Sequence, residues 1–174
     1  MDQTTFIAVF DAHWADVYRY AYRRVGAGAA EDVAEETFVA AWRRRHELPA
    51  EPLPWLYVTA RQVVANHNRA TGRSTRLFAR AAADTPIRAP DPAVGVVLRR
   101  EIADALAGLS DNDREVLMLV GWERLSMPEA AAVMGCSTAT FRVRLHRARR
   151  RLRRRLPNSV ATSEPSPAIE GVQP

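Results

Sequence analysis

Nine arginines lie between positions 142 and 155, and no acidic residue occurs between Glu129 and Glu164. Arginine can neutralise a backbone phosphate, and its planar guanidinium can also bond both acceptors on the major-groove edge of guanine. A solvated surface helix usually mixes glutamates among its cations, because like charges four residues apart repel each other. This stretch has no glutamates among its arginines, and phosphates bound against it would relieve the repulsion between them. The pattern therefore favours a nucleic-acid-binding surface over an ordinary solvated helix. The nine residues are Arg142, Arg144, Arg147, Arg149, Arg150, Arg151, Arg153, Arg154 and Arg155.

Two predicted helices and a tight turn position these arginines. Ser126 and Glu129 have the spacing of a capping box, which begins a short helix. Gly135 supplies the left-handed residue that commonly ends such a helix, and Ser137 caps a second, longer one. Apolar residues recur along the second helix at steps of three and four, which gives it one buried stripe. The pattern predicts a helix-turn-helix whose second helix fits a DNA major groove. The stripe consists of Phe141, Leu145, Ala148, Leu152 and Leu156.

The rest of the chain is also predicted to be helical. Hydrophobic residues make up 47% of the 174 residues, enough for packed cores, and they recur at helical spacings without strand-like alternation. We predict an all-α protein of two small helical domains, residues 1–70 and 93–156, with the helix-turn-helix in the second. A Pro- and Gly-containing flexible linker, 71–92, joins them, and the tail 157–174 is expected to be disordered. Extended at about 3.3 Å per residue, the linker would reach roughly 70 Å, so the domains need not touch.

An acidic patch is predicted on the second helix, from about Ala30 to Arg45. Glu31 and Asp32 are explained by the favourable interaction of acids with a helix N-terminus. Glu35 and Glu36 lie beyond the first turn, so docking to a basic partner explains them equally well. Helical spacing places one set of side chains outward and another inward. The outward set is Glu31, Asp32, Glu35, Glu36 and Thr37; the inward set is Val33, Phe38, Ala41 and Trp42.

A Pro-rich loop, 47–54, precedes a third helix from about Pro54 to Arg69. Aromatic, Arg, Gln and Asn side chains on one helix supply what single-stranded nucleic acid needs, namely planes for stacking and groups that bond base edges. Core packing explains the tryptophan at the helix start equally well, so both interpretations stay open. The candidate residues are Trp55, Tyr57, Arg61, Gln62, Asn66 and Arg69.

The sequence shows no pattern that would support catalysis. It has no Gly-rich phosphate loop after a strand, no His pair at metal-ligand spacing and no nucleophile elbow, so we expect no enzyme activity, metal or cofactor. The lone Cys136 excludes an internal disulfide. No apolar run reaches membrane-spanning length and the N-terminus lacks a signal pattern, so we expect a cytoplasmic protein without membrane insertion.

Three stretches together resemble a known family. They are residues 30–38 (AEDVAEETF) with Trp42, residues 54–61 (PWLYVTAR), and residues 109–151 with REVL at 114–117 and RLHRAR at 144–149. In this order, with a linker between them, they resemble the extracytoplasmic-function sigma factors of bacterial RNA polymerase, a group of the sigma-70 family. The resemblance implies a protein that binds core polymerase and directs promoter recognition, promoter opening and transcription initiation. It also implies an anti-sigma protein as a partner.

The resemblance assigns roles to matching positions. It implies that one set docks on the clamp helices of the largest polymerase subunit, and that the loop at 47–54 and the following helix recognise the −10 element as a single strand. It implies that the second helix of the helix-turn-helix recognises the −35 element as duplex. The docking set is Asp32, Glu35, Glu36, Thr37 and Phe38. The −10 set is Trp55, Tyr57, Arg61, Gln62, Asn66 and Arg69, and the −35 set is Thr140, Arg142, Val143, Arg144, His146, Arg147, Arg149 and Arg150.

Within the −35 set, arginine chemistry suggests a division of labour. Arg142 and Arg147 suit bidentate contact with guanine, whereas Arg144, Arg149 and Arg150 suit phosphate. Two rival functions remain from the residues: a transcriptional regulator that binds DNA through its C-terminal domain alone, and a helical enzyme with a basic substrate-binding helix. Neither the promoter sequence nor the inducing signal can be inferred.

Overall fold

The computed structural model describes residues 1–71 and 92–156, which form seven α-helices and no strand. The predicted all-α class is confirmed. The predicted linker, apart from its two end residues, and the predicted tail lie outside the described residues. The helices are α1 (Gln3–Val25), α2 (Ala27–Arg43), α3 (Leu53–Thr71), α4 (Pro92–Ala107), α5 (Asp111–Gly121), α6 (Met127–Val133) and α7 (Thr138–Arg153).

Helices α1 to α3 pack against one another and form the N-terminal half, residues 1–71. Helix α1 begins where the Asp2 side chain accepts the Thr5 N–H at 2.8 Å. It ends at Gly26, whose φ of 78° is a backbone conformation that favours glycine. Helix α2 begins directly afterwards, at Ala27. A single glycine with positive φ is enough to separate the two helices, so Gly28 lies inside α2.

The C-terminal half, residues 92–156, contains α4 to α7. Ser110 caps α5 by accepting the Asp113 N–H at 3.2 Å. The buried Arg114 reaches back to the end of α4, where it donates to the carbonyl oxygens of Leu106 at 3.1 Å and Leu109 at 2.9 Å. Carbonyls at the end of a helix lack partners within it, so this arginine stabilises the junction between the two helices.

The predicted helix-turn-helix is confirmed. The backbone N–H of Ser126 donates to the Glu129 carboxylate at 2.8 Å, within a capping box that begins α6. Gly135, with φ 62°, lies in the turn, and Ser137 caps α7 by accepting the Thr140 N–H at 3.2 Å. The apolar stripe of α7 faces inward as expected: Phe141, Leu145 and Ala148 are buried, and Leu152 and Leu156 are half-buried.

The capping box predicts a pH-dependent contribution to stability. Hydrogen bonds from the Ser126 side chain and backbone lower the pKa of Glu129, against a smaller opposing effect of burial. A lowered folded-state pKa stabilises the fold above the unfolded pKa, and this stabilisation is lost as pH falls through the folded value. We expect Ser126→Ala to lower the free energy of unfolding by about 1 kcal/mol at pH 7. In urea titrations this difference should shrink when the pH is lowered below the carboxyl range. A difference that stays constant with pH would contradict the role given to Glu129.

The two halves are in direct contact. Helix α3 packs against α6, the first helix of the helix-turn-helix. The buried apolar residues of both halves form one continuous cluster, which runs from Phe6 in α1 to Ala148 in α7. The sequence allowed the two domains to stay apart, whereas the structure shows them closed on each other.

Candidate nucleic-acid and protein interfaces

The outer surface of α7 carries every residue predicted to contact duplex DNA. All of them are exposed, on the sides of the helix away from the buried stripe. Val143, 50% exposed, lies opposite the stripe in the same ridge as His146, Arg147 and Arg150, since residues three, four and seven apart share a helix face. The exposed set is Thr140, Arg142, Val143, Arg144, His146, Arg147, Arg149 and Arg150.

The two flanks of α7 differ in their ion pairing. Arg151 bonds the Asp113 carboxylate of α5 at 2.6 and 2.8 Å, and Arg144, seven residues earlier, shares that flank. Arg142 and Arg149 share the other flank. Among the residues whose side chains are described, no carboxylate pairs with Arg142, Arg147 or Arg150. These guanidinium groups are therefore available to phosphates or base edges.

Helix α3 presents four of the six predicted single-strand contacts on one face. Trp55, Gln62, Asn66 and Arg69 are separated by seven, four and three residues, so their side chains follow one line along the helix. Arg69 donates to the Asn66 side-chain oxygen at 2.5 Å, and the Arg44 guanidinium lies 5.6 Å from the Trp55 ring centre. A half-buried ring followed by amides and a guanidinium can stack on one base and bond the edges of others.

The other two members of this set lie elsewhere. Tyr57 is only 2% exposed and stacks on the Tyr20 ring, with 5.0 Å between ring centres, so it is a core residue in this structure and not the outward ring that we expected. Burial raises the pKa of its hydroxyl. Helix α3 is covered along the line of Leu56, Tyr57, Ala60 and Val64, which takes the tyrosine inward. Arg61 is half-buried at the edge between this covered face and the exposed one.

Helix α2 has an exposed acidic face, but two of the residues predicted to contribute to it are buried. Asp32, Glu35 and Glu36 are exposed. Thr37 is fully buried, because its hydroxyl donates to the Val33 carbonyl at 2.7 Å and so needs no water. Phe38 is also buried, with its ring centre 4.9 Å from that of Phe10. Thr37 and Phe38 therefore lie beneath the acidic face, and Phe38 packs against α1.

Two apolar residues that we did not predict extend the acidic face. Val39 is 49% exposed and Trp42 is 38% exposed, although we expected Trp42 to face inward. The indole meets Phe6 edge-on, with ring centres 5.0 Å apart, and the Arg45 guanidinium lies 4.4 Å from its centre. Val39 and Trp42 are four and seven residues after Glu35, so they lie on the same face of α2 as Glu35. Helical spacing alone could therefore have identified both residues. An exposed tryptophan beside acids is typical of a protein-binding surface.

No group of three or more His, Cys, Asp or Glu side chains in residues 1–71 and 92–156 is arranged to hold a metal ion. No helix in the same residues is both long and apolar enough to cross a membrane.

Comparison with known proteins identifies both halves. Residues 9–74 match the family model for sigma-70 region 2, and residues 99–152 match the model for sigma-70 region 4. Together the two matches cover more than half of the chain. The region 2 match covers most of α1 and all of α2 and α3, including the acidic face. The region 4 match covers the helix-turn-helix.

Individual relatives agree with this assignment. The chain is 33% identical over 151 residues to the ECF RNA polymerase sigma factor SigL of Mycobacterium tuberculosis, covering 84% of this chain and 85% of the relative. It is 33% identical over 144 residues to the ECF sigma factor SigC of the same species, covering 82% and 78%. The sigma factor RpoE of Bartonella quintana, solved with the anti-sigma factor NepR, shares the fold with a TM-score of 0.64 at 24% identity, over 87% of this chain and 96% of that one. The chain therefore belongs to the sigma-70 family, in the extracytoplasmic-function group of transcription initiation factors.

Proposed function

We propose that this chain is a promoter-specificity subunit whose two halves hold different partners. The C-terminal half binds the −35 element as duplex, and the N-terminal half binds core RNA polymerase and the −10 element. The observation that carries this proposal is the exposed arginine face of α7, left without carboxylate partners at Arg142, Arg147 and Arg150 among the described side chains. Synthesis of RNA remains with the polymerase.

On the −35 element, α7 lies in the major groove with its N-terminal residues towards the bases, as in other helix-turn-helix proteins. Arg142 is in the first turns of α7 and contacts a guanine edge, and Val143, His146 and Arg147 face the neighbouring bases. Arg150 lies two turns further along and contacts phosphate, as do Arg144 and Arg149 on the flanks. This arrangement is supported by the exposure of the whole set and by the absence of acids along the helix.

On the −10 element, the exposed face of α3 holds the opened strand. Trp55 supplies the stacking plane and Gln62, Asn66 and Arg69 the hydrogen bonds, while Arg61 contacts a phosphate at the edge of that face. Tyr57 acts indirectly, because its ring supports α3 from the core. The support for this proposal is the common line of the four exposed side chains, which matches the successive bases of an extended strand.

The polymerase binds the exposed face of α2. Asp32, Glu35 and Glu36 meet a basic surface on the clamp helices, and Val39 with Trp42 forms the apolar centre of the contact. Such a combination of a tryptophan anchor and a charged rim is common in specific interfaces. We also propose that the protein acts in the cytoplasm. We further propose that an anti-sigma protein binds it, since the chain shares its fold with an RpoE whose structure was solved with an anti-sigma factor.

Reconstitution separates this function from its nearest rival. Core RNA polymerase mixed with the purified chain should start RNA synthesis at specific promoters, and the chain should elute with the polymerase in gel filtration. A transcriptional regulator would bind duplex DNA without joining the polymerase. Duplex binding without co-elution or promoter-specific transcripts would therefore overturn the proposal.

Two arginine substitutions test the assignment within α7. Arg142→Ala should weaken binding to the matching promoter duplex by about 1–3 kcal/mol and relax base choice at one position. Arg150→Ala should weaken all duplexes similarly and reduce the slope of log K against log salt by about one unit. Fluorescence anisotropy over a set of single-base variants at several salt concentrations measures both effects. Equal losses on every sequence for both proteins would contradict the division between base and phosphate contacts.

A further inference from the structure

A cavity of about 420 Å³ lies between α3 and α5, and we call it the α3–α5 cavity. Its volume is within the range of about 300–1,000 Å³ that is usual for sites of small molecules. Such sites combine apolar contact with a few convergent polar groups, and this lining does the same. The apolar side chains are Val64, Ala65 and Met118, and the arginines and amides discussed below are Arg61, Gln62, Asn68, Arg69 and Asn112.

The two acidic residues that line the cavity already have cationic partners. Asp111 forms an ion pair with Arg114 at 3.0 Å. Glu115 accepts hydrogen bonds from Arg24 at 2.8 and 3.1 Å. All four side chains line the cavity, so these charges compensate one another there.

The other two arginines of the cavity lack such compensation. In the described part of the chain, no carboxylate pairs with Arg61 or Arg69. Arg69 donates to the neutral side-chain oxygen of Asn66 at 2.5 Å, which leaves its charge in place. Arg61 is half-buried, and a charge that is partly removed from water is costly without an opposite charge beside it. The cavity is therefore suited to an anion.

A phosphate monoester has the charge and the bonding groups that this lining requires. It carries a charge of about −1.5 to −2 at pH 7, which matches the two arginines. Planar guanidinium groups bond phosphate oxygens in pairs. The amides of Gln62, Asn68 and Asn112 can both donate and accept hydrogen bonds, as sugar hydroxyls and base edges need. A nucleoside monophosphate combines all of these groups with a planar body for the apolar side chains.

We propose that the α3–α5 cavity binds a nucleoside monophosphate, with the phosphate on Arg61 and Arg69 and the rest of the molecule between the two helices. Arg61, Gln62 and Arg69 are also proposed −10 contacts. A nucleotide bound in the cavity therefore competes with the promoter strand for these side chains and lowers transcription initiation. This competition rests on the proposed function, whereas the binding site itself does not.

Isothermal titration calorimetry of the full chain with AMP tests the site without polymerase or DNA. We expect a dissociation constant of about 100 μM or lower, which a ligand of this size can reach. Adenosine lacks the phosphate and should bind at least about tenfold more weakly, because the charge-assisted hydrogen bonds are lost. Equal affinity for AMP and adenosine, or no binding of AMP at millimolar concentration, would overturn the proposal.

Substitutions on each wall of the cavity locate the ligand. Arg61→Gln/Arg69→Gln should weaken AMP binding at least about tenfold. Asn112→Asp keeps the size of the side chain but adds a negative charge on α5, and should weaken it at least about fivefold. The control Gln3→Glu makes the same change of charge at an exposed position outside the cavity lining, so it should bind AMP as the wild type does. Wild-type affinity in both cavity variants would exclude the site.

The basic face of α7 is the main alternative site for an anion. Arg147→Gln/Arg150→Gln removes two of its exposed guanidinium groups and leaves the cavity lining intact. We expect the affinity for AMP to depend on Arg61 and Arg69 rather than on this pair. Binding that is lost in Arg147→Gln/Arg150→Gln and kept in Arg61→Gln/Arg69→Gln would place the anion on α7 and contradict the proposal.

Transcription distinguishes the ligand site from the proposed function. The chain is incubated with AMP, at several times its dissociation constant, before core polymerase and promoter DNA are added. Promoter-specific transcripts should fall at least about threefold for the wild type and less for Asn112→Asp, whose residue is not a proposed DNA contact. Equal inhibition of the two proteins would contradict the competition, since the polymerase is the same in both. Absence of promoter-specific transcripts without AMP would count against the proposed function, while calorimetry would still decide whether the cavity binds the nucleotide.

Discussion

We expect the reversal Glu35→Arg/Glu36→Arg to abolish assembly with core RNA polymerase. Both side chains are exposed in the middle of the α2 face, beside the half-exposed Val39 and Trp42. Reversal places two cations against a basic partner surface, and such like-charge contacts cost several kcal/mol. Loss of several kcal/mol is at least a hundredfold in affinity. Gel filtration of the mixture with core polymerase would show the loss as a free chain peak.

A matched control distinguishes surface charge from a specific contact. Asp11→Arg/Asp104→Arg changes the net charge equally, at exposed positions away from the α2 face. This control should still co-elute with polymerase, and both variants should bind −35 duplex as well as the wild type does. Undiminished assembly of the Glu35→Arg/Glu36→Arg protein would remove the acidic face from the interface.

We expect Phe141→Ala to have the largest effect on folding. The ring is fully buried at the start of α7 and fixes the DNA-binding helix on the C-terminal core. Truncation of a buried phenylalanine removes apolar contacts and leaves a cavity, which costs about 3–5 kcal/mol. This is a large part of the stability of a small domain. Thermal and urea unfolding followed by circular dichroism would measure the change.

The neighbouring Val143→Ala is the control for that measurement. Val143 is on the same helix but 50% exposed, so its truncation should change the free energy of unfolding by no more than about 0.5 kcal/mol. Equal destabilisation by the two substitutions would mean that the predicted stripe does not carry the packing of α7.

Helix starts and turns could be predicted from the sequence because they depend on residues that are close together in the chain. Ser126 and Ser137 act within three residues, and each begins the helix that we predicted. Gly135 likewise marks the turn because its left-handed conformation is local. The inward stripe of α7 was predictable because the helix packs along one side, so its periodicity is undisturbed.

The residues whose orientation we predicted wrongly are Tyr57, Thr37 and Trp42, and the physical reason differs from one to the next. Tyr57 is taken inward by Tyr20 of α1, a packing partner that local spacing does not identify. Thr37 hides its polar group by bonding a carbonyl of its own helix, so residue type misled the assignment. Trp42 stays at the surface, with Phe6 packed against part of its ring.

Closure of the halves was not predictable from sequence. The bonds from Arg24 to Glu115 and Glu123 join positions 91 and 99 residues apart. Arg and Glu are residue types normally found at the protein surface, so their identity at these positions does not indicate a buried contact. Only the folded arrangement shows that they compensate each other away from water.

Promoter specificity can be measured by mapping the 5′ ends of transcripts made by core polymerase reconstituted with this chain. We expect transcription to start at a limited set of sites, each preceded by two shared sequence elements at constant spacing. With Arg142→Ala, we expect a changed base preference in the upstream element. Starts identical to those of core polymerase alone, or starts without shared upstream elements, would contradict the proposed function.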